Sequence, residues 1–416
     1  MDNSQLKHYL PCMTQPTVVR YLDKTTAPHI STLILVSGLS ALGMNIFLPS
    51  LPNMTDYFQA DYRVMQLSVA LYLAVNGVLQ ILIGPVSDSL GRRPVILGGM
   101  FLFLIATLGC IYAPTVEIFL FFRMCQSAIA VAMVLSRAAV CDMFDQNRAA
   151  SMIGYVTMGM AVVPMVGPAI GGVLDEAYGW QANFWLLFGL GVLTIVLIWM
   201  DFGETAHKSG KTLVAQFREY PELLKSPRFW GYALASGFSS GAFFAYLGGA
   251  PYVGTEIYGM SPSELGLFFG APALGYFAGN YLTGRFAVQV GINRMVLWGA
   301  VMVAFGLLVS VIISALNIAS EYTFFGMMCF VGLGNGMTIP NATAGSLSVR
   351  PHLAGTASGL GGAIMLAGGA ALSALAGWML TPGSGEMPLL LIMLTTSVMG
   401  VVAIIVVILR ERQLGI

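Results

Sequence analysis

Charge is what these 416 residues have least of. Asp, Glu, Lys and Arg make up 9% of the chain, where a soluble globular protein carries roughly 25%. So little charge excludes a water-covered domain of any size. The charges that remain cancel, 19 basic against 19 acidic, so no net field points to nucleic acid or an anionic partner. Five cysteines, Cys12, Cys110, Cys125, Cys141 and Cys329, show no metal-ligand spacing, and no metal is expected. Four of them sit in apolar stretches, where a small buried hydrophobe is the plainer reading. No P-loop, zinc pattern or nucleophile elbow occurs, which argues against an ATP-driven pump and against an enzyme. The segment before His29 has no apolar core, so no cleavable signal peptide is expected.

What the chain has instead is long apolar runs. It is 57% hydrophobic, with a mean hydropathy of +0.79. At about 20 residues per membrane helix, this length holds twelve spans and short loops. The apolar runs place them at roughly 31–52, 64–86, 94–113, 116–141, 149–174, 182–200, 229–253, 263–286, 294–316, 322–347, 353–380 and 387–409. The stretch 202–228 is polar and basic, and divides a first half, 1–201, from a second, 229–416. The expected class is therefore an all-α membrane protein of two pseudo-symmetric six-helix bundles, with the bilayer as its environment.

Lysine and arginine orient it. With the N-terminus cytoplasmic, almost every basic loop residue falls inside, and Arg63 alone falls outside. Both termini are then cytoplasmic. A weak repeat relates the halves: at an offset of 200, Gly84, Gly91 and Gly99 meet Gly284, Gly291 and Gly299. Parallel repeats about an axis along the membrane normal are a known transporter design.

Three motifs stand out. The first, Gly84-Pro85-Val86-Ser87-Asp88-Ser89-Leu90-Gly91-Arg92-Arg93-Pro94, links spans two and three. It resembles the signature loop of the major facilitator superfamily, departing from it at Ser89, where the family usually has Arg or Lys. The resemblance implies an ionic latch on the cytoplasmic gate, formed here by Asp88, Arg92 and Arg93. Arg137 and Asp142, at the inner end of span four, are assigned to the same gate. The second motif, Gly167-Pro168-Ala169-Ile170-Gly171-Gly172, places glycines four apart around a helix-bending proline. It resembles the antiporter signature of drug:proton exchangers; plain helix packing is the alternative. The third is Arg123-Met124-Cys125-Gln126-Ser127 in span four. It resembles the family's Arg-x-x-Gln-Gly motif, linked to proton coupling; snorkelling of Arg123 to the outer surface is the alternative.

Span one ends Asn45-Ile46-Phe47-Leu48-Pro49. With the loop motif this resembles the Bcr/CflA drug-resistance branch, in which an acidic residue commonly stands where this chain has Asn45. No acidic residue or histidine is expected near the centre of any span. Polar residues inside spans should face the bundle interior. Asn45, Asn76, Gln80, Arg123, Gln126, Asn335 and Asn341 are thus the expected substrate cavity, with Phe243 and Phe244 as part of an aromatic wall. The run Gly332-Leu333-Gly334-Asn335-Gly336 reads as a thinned helix, not a nucleotide loop. The resemblance implies a secondary active exporter of small amphipathic compounds by proton antiport: a multidrug efflux protein of the bacterial inner membrane. It would be monomeric and need no cofactor beyond the proton gradient. The alternative is a facilitator or symporter of a small metabolite, an anionic one included.

Overall fold

A computed structural model describes residues 19–143, 152, 156, 163, 166–206, 220–350, 354–381 and 383–415. Among them every regular element is helical. In the first half these are α1 (Ile30–Asn45), α2 (Leu51–Phe58), α3 (Tyr62–Leu90), α4 (Arg92–Ile111), α5 (Val116–Gln126), α6 (Ala130–Met143), α7 (166–178) and α8 (Gln181–Asp201). After a short α9 (Tyr220–Leu224) come α10 (Pro227–Tyr252), α11 (Pro262–Phe268), α12 (Gly270–Val290), α13 (Ile292–Ala315), α14 (Glu321–Ser348), α15 (Ala354–Met379) and α16 (Met387–Leu414). In hydrocarbon the backbone must satisfy its own hydrogen bonds, and a helix does so within one segment.

Eight stretches, from Ile30–Phe58 to Met387–Leu414, are long and apolar enough to cross a membrane. Helices α10, α12 and α14 are as long, at 26, 21 and 28 residues, but richer in small and polar side chains. The span expected at 149–174 and most of the central loop lie largely outside the described residues. Span four is not one continuous helix, because a tight turn at Ser127–Ile129 separates α5 from α6 directly after Gln126.

Helix starts follow capping chemistry. Asp61 accepts from the Arg63 amide at 2.8 Å, and Ser261 with Glu264 forms a capping box on α11. The repeat glycines have a structural meaning. Gly91 (φ 100°) and Gly291 (φ 90°) are one-residue joints between α3 and α4 and between α12 and α13. That conformation is open to glycine and costly for other residues. Gly99 and Gly299 let α4 close on the turn before α6 and α13 on α14: a Cβ would press on the Ala128 and Gly334 carbonyls respectively. Gly332 and Gly336 likewise admit α14 to the backbone of α12, as a thinned helix should.

The halves meet along one seam. α3 runs against α15, and α2 with the Leu48–Ser50 turn meets α10 and α11. The Tyr62 hydroxyl donates to the Gly248 carbonyl at 2.9 Å, and its ring packs 5.1 Å from that of Tyr252. Gln66 Nε2 donates to Ser373, to its carbonyl at 2.5 Å and its hydroxyl at 2.7 Å. Further along, Gly77 touches Leu366, and the Gln80 side chain reaches Gly362. One turn later Gly84 has open space, as does Gly284 in the other half. The halves are thus joined at the Tyr62 end and part toward the Gly91 end.

The Gly-Pro motif belongs to this seam. A Cβ on Gly171 would overlap the Ile46 carbonyl of the first half, and one on Gly172 the Pro262 carbonyl of the second. Gly172→Val should therefore wedge the seam, at the ~1–3 kcal/mol typical of overpacking. Spin labels at exposed Tyr178 and Tyr322 should move apart in electron–electron distance measurements. Gly171→Val, which clashes only within the first half, should leave that distance unchanged.

Candidate functional site

The polar residues expected in the cavity take several different partners. Asn45 donates to its own helix, to the Ala41 carbonyl at 2.7 Å. Asn76 and Gln80 bond each other at 3.3 Å on the α3 face that meets α15. Asn335 accepts from Ser239 at 2.7 Å, and Asn341 donates to Thr283 at 3.2 Å. These two hold α10, α12 and α14 together inside the second half. Phe243 stacks on Tyr246 at 6.3 Å, and Phe244 lies against Gly369.

Arg123 is buried to 1% exposure, so it does not snorkel. Its guanidinium carbon lies 4.2 Å from the Phe47 ring centroid and 4.1 Å from that of Tyr72. It donates to Gln126 Oε1 and, at 3.4 Å, to the Ser68 carbonyl. Gln126 passes the chain on to Thr107 at 2.9 Å. A guanidinium at membrane depth costs about 2.5–3.5 kcal/mol on insertion scales. A desolvated ring face returns about 2 kcal/mol, so two rings are enough to cover that cost without a carboxylate. The sequence signal for the sandwich was present but diffuse, since Phe47 and Tyr72 lie in separate spans.

The loop motif does form an ionic cluster. Arg92 pairs with Asp88 at 2.5 Å and with Asp142 at 3.1 Å, and also donates to Ser87. Glu204 accepts the Arg92 and Arg93 amides at 2.7 and 3.2 Å, capping α4 from outside. Gly91 makes room for that carboxylate. Arg93 lies over Trp199 and donates to its carbonyl at 2.9 Å. Apart from Glu204, just after α8, these partners of Arg92 and Arg93 belong to the first half. Arg137 lies apart from the cluster. Its Nε is buried without a hydrogen-bond acceptor.

A counterpart in the second half was not legible. Glu411, near the end of α16, accepts from Arg228 at 2.6 and 3.0 Å and from Asn293 Nδ2 at 2.5 Å. The Tyr232 hydroxyl stands 3.0 Å from the same carboxylate. A late acidic residue in a basic tail looks like solvent charge in sequence; here it joins the starts of α10 and α13. Beside it opens a groove of about 740 Å³, bordered by Arg294, Asn341 and Ser348.

Two helical halves sharing a long polar-spotted seam, with buried arginine and ion pairs at helix ends, define a multi-pass membrane protein of the transporter type. The Major Facilitator Superfamily profile matches residues 33–374 and 251–414, and the chain belongs to that superfamily. It is 30% identical to the chloramphenicol resistance protein of Pseudomonas aeruginosa over 80% of this chain and 82% of that one. It is 27% identical to the bicyclomycin resistance protein homolog of Haemophilus influenzae over 85% and 89%. A solved bacterial homolog of the human lysosomal transporter Spinster, inward-facing and occupied, shares the fold with a TM-score of 0.69. It has 17% identity over 92% of this chain and 96% of that one.

Two substitutions separate the clusters. Arg123→Ala should reduce transport at least ~10-fold while leaving folded yield near wild type, because it removes a charge whose burial nearly cancels its ring contacts. Wild-type transport in that variant would mean that Arg123 only packs. Asp88→Asn should loosen the joined ends of α3, α4 and α6, since it discharges one partner of Arg92. Cysteine probes lining those ends should then label faster than in the parent.

Proposed function

We propose that the chain is a secondary active exporter of small amphipathic compounds, antibiotics among them, driven by proton exchange. The observation that carries this is the seam: the halves close on each other at the Tyr62 end and part at the Gly91 end. Rocking about such a seam exposes a midplane site to one side at a time. The names of the relatives, resistance to chloramphenicol and to bicyclomycin, supply the substrate class. In this reading twelve helices span the bacterial inner membrane, both termini are cytoplasmic, and the Gly91 end faces inward. The working unit is a single chain, acting as a carrier rather than an enzyme, with the proton gradient in place of a cofactor.

The Arg92 cluster is the inner latch. Its contacts within the first half hold α3, α4 and α6 as one rigid end while the gap is open. Asn45 bonds its own helix and cannot titrate, so proton loading falls outside that position of span one.

Cells expressing the protein should accumulate less chloramphenicol than cells with an empty vector, and a protonophore should abolish the difference. Efflux that persists at full rate after the protonophore would overturn proton coupling. An unchanged accumulation without it would overturn export.

A further inference from the structure

The groove beside Glu411 takes its meaning from the repeat. In the first half the joint at Gly91 lies against a carboxylate. Glu204 accepts the Arg92 and Arg93 amides at 2.7 and 3.2 Å, and a Cβ on Gly91 would strike it. In the second half Gly291 makes the same joint with the same positive φ, but the space beside it is open. That space belongs to the groove of about 740 Å³, which Gly291, Ile292, Asn293 and Arg294 border from the start of α13. The groove also carries surplus positive charge, since Arg228 and Arg294 line it against the one carboxylate of Glu411. That carboxylate is already held by two nitrogens of Arg228 and by the Asn293 amide, with the Tyr232 hydroxyl at 3.0 Å. Arg294 is exposed and takes part in no ion pair or hydrogen bond among the described residues. At the lip Val288 is 97% exposed, so the polar groove runs out onto an apolar edge.

We propose that this groove seats the phosphate of an anionic phospholipid of the inner leaflet. The positive start of α13 and the Arg294 guanidinium both favour a phosphate there. Basic pockets between membrane helices on the cytoplasmic side suit such headgroups. A lipid fits better than a free anion, because its glycerol and upper chain can lie on the Val288 edge while the phosphate meets the charge. The bound phosphate does for α13 what Glu204 does for α4. The first half carries its own anion at this joint, and the second takes one from the membrane. The site is separate from the seam between the halves. It needs the inward orientation of this end and not the exporter reading.

The test is binding of phosphatidylglycerol and of phosphatidylcholine with matched chains to the full-length protein in detergent, followed by native mass spectrometry. Wild type should prefer phosphatidylglycerol by about fivefold, the scale of one arginine at an anionic lipid surface. Arg294→Gln should erase that preference. Ala344→Glu should erase it too, by putting a carboxylate into the groove from an exposed position on α14. Either variant serves should the other not fold, which melting and size-exclusion profiles report. Arg63→Gln, at the opposite end of the protein, should leave the preference within about twofold of wild type. No preference in wild type, a preference intact in Arg294→Gln or in Ala344→Glu, or an equal loss in Arg63→Gln overturns the site. Displacement of the lipid by inorganic phosphate at equal concentration overturns the assignment to a lipid. The readout is binding, so a failure of chloramphenicol export overturns the exporter reading alone.

Discussion

An ionised side chain in hydrocarbon must find inside the protein what water gave it outside. Much of this structure follows from that constraint. The few charges near or within the helices are settled in two ways. At helix ends they pair with opposite charges and with backbone amides, as Arg92 does with Asp88 and Asp142, and Glu204 with the start of α4. At depth, Arg123 is held by two ring faces and a chain of neutral amide and hydroxyl groups.

The two halves solve the same mechanical problem with different side chains. In each, a carboxylate on or just after the last helix holds the starts of earlier helices. Asp201 takes the Leu22 and His29 amides before α1, and Glu204 takes the start of α4. In the second half Glu411 takes Arg228 at the start of α10 and Asn293 at the start of α13. Backbone requirements are what the halves share most clearly. The left-handed joints at Gly91 and Gly291 and the crossings at Gly99 and Gly299 tolerate no side chain. Ion pairs can be rebuilt from other residues, so Arg92 has Ile292 as its counterpart and the second latch moves to Asn293.

This explains what could be read from the sequence. Helix positions were legible to within a few residues, because apolar length and caps are local properties. The span at 94–113 became Arg92–Ile111, and that at 322–347 became Glu321–Ser348. The joint glycines and the Arg92–Asp88 pair were legible because their meaning lies in adjacent residues. The partners of the polar residues were not. Polarity in a span says that a side chain avoids lipid, but not whether it meets a cavity, a neighbouring helix or its own backbone. Asn335 found Ser239, Asn341 found Thr283, and Asn45 found Ala41. Gln66 and Tyr62, which carry the seam, sit near the mouth of their span and gave no sign of reaching the other half.

Asn45 sets the final constraint. An exchanger with a carboxylate in span one can let proton and substrate compete at one midplane point. Among the described residues, the well-buried carboxylates Asp175, Asp201 and Glu411 stand at helix ends, while Arg123, Gln126 and Asn45 lie deeper. A proton arriving at a helix end acts on a staple: it discharges the partner of an arginine and loosens the joint between helices. Proton and substrate would then act through separate places, linked by the stiffness of the halves rather than by direct competition. The glycine-to-backbone contacts that lock α4 onto the turn before α6, and α12 onto α14, supply that stiffness.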